Sequence, residues 1–218
     1  MTEPGGRYPG YDVLSKRSTP SWNEQTRKVI DRRLATDPEL HRFFDAAAWR
    51  TLTALCARIV PQPRDRVRPA PLAAMVDEKM FKDAGDGFRD ARLPPMGQAW
   101  RRGLKAIEAE AKARHGRSFH DLTGPEQDGL LTAIQKGYAS QPDWADMPPE
   151  LFFRNRVLRD VVGAYYAWPD AWSEIGFGGP AAPRGYVRMD FDRRDPWEAA
   201  EARPGEEERA RRVNRRVG

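Results

Sequence analysis

The stretch Leu151–Met189, LFFRNRVLRDVVGAYYAWPDAWSEIGFGGPAAPRGYVRM, decides the reading of the fold. In its first half Leu151, Phe152, Val157, Leu158, Val161, Val162, Tyr165 and Tyr166 recur at helical spacings, with a few apolar residues beside them. That stripe is wider than a surface helix needs, so the segment is expected at the centre of a helical bundle. Pro169 is expected to end it, because proline lacks the N–H of the helix ladder and clashes with the preceding turn. The second half is expected to lack regular structure, since Gly176, Gly178, Gly179, Pro180, Pro183 and Gly185 punctuate it densely. It nevertheless carries Trp168, Trp172, Ile175, Phe177 and Tyr186. A loop so rich in large apolar groups is either folded back on its own domain or pressed against another protein.

Working outward, the preceding chain reads as a series of helices. Thr19 or Ser21 is a candidate cap for a helix whose inner face holds Trp22, Thr26, Val29, Ile30 and Leu34. Asp45 caps the next, with Trp49, Leu52, Leu55, Cys56, Ile59 and Val60 on its apolar face and Pro61 as its stop. A proline- and arginine-rich loop leads to a helix after Pro71, with Leu72, Met75, Val76, Met80 and Phe81 inward. Pro94 and Pro95 open a long helix from about Met96 to His115, closed by Gly116 as a left-handed cap. Thr123 and Glu126 have the capping-box spacing at the head of a helix bearing Leu130, Leu131, Ile134 and Tyr138. A polar loop, SQPDWADMPPE, then reaches the central helix at Pro149.

Apart from one short extended piece at Tyr186–Phe191, no alternating strand pattern occurs. The fold class read from this is all-α: one bundle of about six helices, with a long aromatic Gly/Pro-rich loop and extended tails at both ends. The expected divisions are an N-terminal arm at 1–19, a helical domain at 20–190 and a charged tail at 191–218. No internal repeat is found.

Composition bounds the function. The chain has 218 residues, 39% hydrophobic and 32% charged, enough for one well-buried core. No apolar run approaches the ~20 residues needed to span a bilayer. The single cysteine, Cys56, has no partner for a disulfide, and it falls on an apolar helix face, where a buried, inert thiol is expected. The formal charge of +5 raises nucleic acid as a partner. Much of that excess lies in Arg209, Arg211, Arg212, Arg215 and Arg216, which reads more simply as a solvated tail, so no nucleic acid is expected. Met1–Pro20 has no apolar core of a secretory signal, so the expected location is cytoplasmic unless a partner carries the chain across a membrane.

Catalytic motifs are sparse. The three histidines, His41, His115 and His120, form no helical metal-ligand pair, and no metal site is expected. DAGDGFRD, from Asp83, resembles a calcium loop but lacks the glutamate and alternating ligands of an EF-hand. GFGGP at Gly176–Pro180 follows a helix rather than a strand and lacks the lysine of a phosphate loop, so turn geometry is its better account. Asp170 and Glu174, near Arg184 and Arg188, are the one pair of carboxylates that general acid–base work on a sugar or lactone would use. Ordinary ion pairs fixing the loop are the favoured account.

The sequence also carries a family resemblance. AYYAWPDAW, EIGFGGPA and PRGY, within Ala164–Tyr186, are similar to the C-terminal signature of the gluconate 2-dehydrogenase subunit 3 family. FFDAAAWRTLTALCARIVP at Phe43–Pro61 resembles that family's N-terminal signature. The resemblance runs from about Phe43 to Arg188. It implies a small, non-catalytic subunit that binds no cofactor itself and joins a large FAD-binding dehydrogenase subunit of the glucose-methanol-choline type. In many such complexes a cytochrome c subunit takes the electrons. Trp, Tyr and Arg dominate the binding energy of protein interfaces. On that ground Tyr8, Tyr11, Trp172, Phe177, Arg184 and Tyr186 are the expected partner contacts.

Overall fold

A computed structural model describes residues 6–87, 90–182, 185, 188–190 and 193–217. It is all-α: among the described residues there is no strand, only an isolated bridge between Trp22 and Ala182. The chain divides into two compact units, Met1–Ala35 with Tyr166–Gly218, and Thr36–Tyr165. No helix among the described residues is long and apolar enough to cross a membrane.

The unit Thr36–Tyr165 begins at an acidic nail. The buried Asp77 carboxylate accepts the backbone N–H groups of Arg42, Phe43 and Phe44 at 2.7–3.0 Å. That fixes the approach to α2 (Ala46–Ile59), whose first turn Asp45 caps through Ala47 and Ala48. Helices α3 (Leu72–Phe81), α4 (Met96–His115) and α5 (Gly124–Gln135) follow where the sequence periodicity puts them. Gly116 closes α4 at φ 67°, and Glu126 receives both the N–H and the hydroxyl of Thr123 at the head of α5.

The core of this unit is aromatic. Trp100 packs edge-on against Phe152 at 5.5 Å, and Trp144 lies 5.8 Å from the same ring. Phe81, read as inward, is half exposed beneath the Arg42 guanidinium, and Tyr138, assigned to the fifth helix, lies exposed beyond the end of α5. The loop read as polar, by contrast, contributes Trp144 and Met147 to the interior. Buried Glu110 holds it there through the N–H groups of Ser140 and Gln141 and through Trp144 Nε1.

The central helix is continuous but not uniform. α6 (Pro149–Phe152) runs through a π-helical turn (Phe153–Leu158) into α7 (Arg159–Ala167). Its buried residues recur in steps of four, as Phe152, Arg156 and Asp160 and as Phe153, Val157 and Val161. With 3.6 residues per turn such a series drifts round a helix; the wider turn counters that drift and keeps one face inward.

Pro169 ends that helix and also begins another. Trp168 leaves helical geometry at φ −85°, ψ 130°, and α8 (Pro169–Ile175) starts at the proline. Proline at a first helical position gives up only an N–H that has no partner there. The segment expected to be wholly irregular therefore contains two helical turns before Gly176 stops it at φ 69°.

In the unit that joins the two ends, α1 (Glu24–Leu34) is capped by Asn23 rather than Thr19 or Ser21. Tyr11, Val13, Trp22, Ile30, Trp172 and Val217 form its core. The N-terminal arm is not extended: Val13–Ser18 make two turns of 3-10 helix. Nor is the C-terminal segment free of structure, since α9 (Glu207–Asn214) folds within it. Asn214 ties the ends together, donating to the carbonyls of Pro9 and Ala200, both at 3.0 Å. Buried Val13 and Val217 explain why neither end stays in water. Of the expected extended piece at Tyr186–Phe191, Tyr186, Val187 and Phe191 lie outside the described residues, and the rest forms no strand.

Candidate functional site

Two places gather the residues that could act on something else. The first is the glycine-rich turn after α8. Its glycines permit close packing rather than phosphate binding. A Cβ on Gly176 would fall 2.5 Å from the Tyr8 ring, and one on Gly179 would meet Trp22 at 3.0 Å and Trp172 at 3.3 Å. Both glycines also have positive φ, 69° and 68°. The turn is thus pressed onto the N-terminal arm, and a larger residue at either position would push the arm away.

That packing sorts the expected contacts. Tyr11 and Trp172 are buried in the core of their own unit. Trp172 donates its Nε1 hydrogen to the Tyr166 carbonyl at 2.6 Å, and the Arg33 guanidinium lies 5.8 Å from its ring. Phe177 meets Trp172 edge-on at 5.8 Å while keeping 39% of its surface exposed. Tyr8 is half-buried. Arg184 and Tyr186 lie outside the described residues. Besides the expected Phe177, two large apolar residues of this unit that sequence reasoning did not name as contacts, Tyr166 (48%) and Ile175 (46%), are exposed. Glycine 176, between two large apolar residues, was the available signal.

A cavity of about 450 Å³ lies beside the turn, lined by Tyr8, Lys16, Phe177, Gly178, Arg188 and Glu198 among others. Lys16 has no exposed surface and stacks on Tyr11 at 5.5 Å. Asp170 and Glu174 sit one turn apart on α8, the first half-buried and the second exposed.

The second place is a buried ion cluster in the other unit. The Asp160 carboxylate, with no exposed surface, accepts from Lys79 Nζ at 2.8 Å and from Trp100 Nε1 at 2.7 Å. Asp86 accepts from the same Lys79 and from Arg156, each at 2.8 Å. Burial pushes Asp86 upward, but its hydrogen bonds from Lys79 and Arg156, with their charges, outweigh it and hold the carboxyl below the usual range. Arg159 also faces Asp86 at 3.6 Å, so two acids meet three bases here. They fasten the 83–87 loop and α3 to the central helix and present no free nucleophile or base. The sequence signal was Arg156 and Asp160, four apart within an apolar helix, which a hydrophobic stripe alone passes over.

The other candidates for chemistry are dispersed. His41 stacks on Trp49 at 4.7 Å, His115 faces Glu126 at 3.7 Å and His120 faces Asp121 at 3.5 Å. Cys56 is buried, and burial pushes its thiol up to about 12. Among the described residues no group of His, Cys, Asp or Glu is placed to hold a metal ion.

No curated protein and no solved structure gives a significant match. The family model described as gluconate 2-dehydrogenase subunit 3 matches residues 46–179, more than half of the chain, from the first turn of α2 to the glycine turn packed on Trp22 and Trp172. By that match the chain belongs to the gluconate 2-dehydrogenase subunit 3 family, a family of accessory subunits of a multi-subunit dehydrogenase.

Proposed function

We propose that the chain is a non-catalytic small subunit that binds and stabilises a large FAD-dependent sugar or polyol dehydrogenase subunit and assists its assembly. The family match over residues 46–179 carries this reading. The exposed apolar surface of Tyr166, Ile175 and Phe177, the last beside the closely packed glycine turn, supports it. Aromatic groups held in place by their own core lose little freedom on binding and suit a permanent interface. FAD belongs to the partner, and a chain that binds only the native partner stabilises it by mass action.

The test is co-expression of this chain with a large FAD-dependent dehydrogenase subunit from the same source. The expected result is a flavin-coloured complex containing both chains, with the large subunit alone poorly soluble or depleted of flavin. Equal yield, flavin content and activity of the large subunit without this chain would refute the proposal.

A further inference from the structure

A groove of about 550 Å³ lies between the first turns of α2 and the middle of α4. Its floor is apolar: Phe44 and Leu104 are buried and Phe43 is half-buried. Its rim is cationic, carrying Arg50, Arg101, Lys105 and Lys112, all exposed. Two carboxylates also line it, and both are occupied. Asp45 caps α2 through Ala47 and Ala48 at 3.0 and 2.8 Å. Glu108 accepts the Phe119 N–H at 3.0 Å, with Lys112 at 3.4 Å. Four cations against two acids leave the lining with a net charge of +2.

Two of those cations have no acid of their own. Arg50 and Arg101 form no ion pair with any described residue. Arg101 is held ready: its guanidinium lies 3.8 Å over the Phe43 ring and donates one hydrogen bond to the Phe43 carbonyl at 3.2 Å. Its other N–H groups have no partner among the described residues. A guanidinium fixed on an aromatic ring keeps a fork of donors with little freedom left to lose, which suits a carboxylate. His120 adds an orphan to the same lining. Its Nδ1 is shielded from water and has no hydrogen-bond partner among the described residues.

We infer that this groove is the seat of an acidic, partly apolar segment of the large subunit. Its carboxylates would meet Arg50 and Arg101, and an apolar side chain would cover Phe43, Phe44 and Leu104. The inference rests on the accessory-subunit reading and gives it a second surface, in the unit that lacks the glycine turn. A protein segment fits better than a nucleic acid. The apolar floor of Phe43, Phe44 and Leu104 offers nothing to a phosphodiester, whereas an acidic peptide can bring an apolar side chain to it along with its carboxylates.

The experiment compares the tagged wild-type chain with Arg50→Glu/Arg101→Glu, each co-expressed with the large subunit. Arg50→Glu alone keeps the Arg101–Phe43 contact, and circular dichroism checks the fold of each variant. The expected result is at least a tenfold loss of co-purified flavoprotein for the double variant and a smaller loss for Arg50→Glu, with wild-type capture weakening as salt rises. Full capture by both folded variants would overturn the groove and leave the accessory reading standing. A wild-type chain that captures no flavoprotein would overturn both. Salt-sensitive binding of a single-stranded oligonucleotide, lost in the double variant while flavoprotein capture is kept, would overturn the groove's assignment to protein.

Discussion

Asp160→Asn is the sharpest test of how the central helix is held. The wild-type carboxylate is fully shielded and faces Lys79 at 2.8 Å, Trp100 Nε1 at 2.7 Å and Arg156 at 3.7 Å. Asparagine keeps one acceptor oxygen, so it can satisfy Lys79 or Trp100 but not both. It also leaves Lys79 and Arg156 with a single acid, Asp86. Removing one member of a buried ion pair costs about 3–5 kcal/mol, mostly because the remaining charge is uncompensated. The Lys79 side chain is 27% exposed, so water relieves part of that and the lower end of the range applies, about 3 kcal/mol. With a urea slope of about 3 kcal/mol/M, the unfolding midpoint should fall by about 1 M. Far-UV circular dichroism at neutral pH is the assay, since seven tryptophans blur a fluorescence signal. Trp100→Phe supplies the control. It should cost about 1–2 kcal/mol alone and clearly less in the Asp160→Asn background, because both changes remove the same bond. A midpoint shift below about 0.3 M, or full additivity of the two changes, would refute the cluster as a mainstay of this unit.

Two further outcomes follow from local geometry. A Cβ on Gly103 would clash with Cζ of the fully buried Phe152, so Gly103→Ala should lose about 1 kcal/mol or more despite alanine's better helix propensity. Gly129 on α5 has nothing within 4 Å, and Gly129→Ala should instead raise the urea midpoint slightly. In acid, Asp86 and Glu108 set the sign: both carboxyls lie below their usual range in the fold, Asp86 through Lys79 and Arg156, Glu108 through Ser118 and Phe119, each against an opposing burial effect. Their stabilisation is complete above the unfolded values of about 4 and fades as pH drops through the lowered folded ones. Midpoints measured from pH 6 down to pH 2 should fall on that limb, and less so for Asp86→Asn; an unchanged acid limb in that variant would count against the Lys79–Asp86–Arg156 bonds.

Much of the fold was legible because its signals are local. Asp45, Gly116 and the Thr123/Glu126 pair mark helix ends by chemistry that acts within one turn, and α2 to α5 lie where those marks put them. What escaped depends on distant partners. Asn23 outcompeted Thr19 and Ser21 as the cap of α1, and no local rule ranks such neighbours. The π turn at Phe153–Leu158 leaves only a step-of-four pattern, which reads as an ordinary stripe until Arg156 and Asp160 are known to be buried. The two ends read as tails because their composition is polar. They fold because a few apolar residues, Val13 and Val217 among them, meet across nearly the whole length of the sequence.

The same distinction governs the site. Aromatic residues beside glycines signalled a surface, but the sequence could not say which ring faces outward. Trp172 and Tyr11 are the larger anchors by type, yet their burial means that replacing either would damage the fold before it touched an interface. Phe177 and Tyr166 are the residues whose loss could report binding alone. In the other unit the reasoning runs the opposite way. Phe43 and Arg101 look unremarkable in sequence, because their meaning lies in a stack between the approach to α2 and α4, 58 positions apart. A binding surface is therefore read best from what a side chain still has free after the fold has taken its share. By that measure Arg50 and Arg101 stand ahead of the buried aromatics.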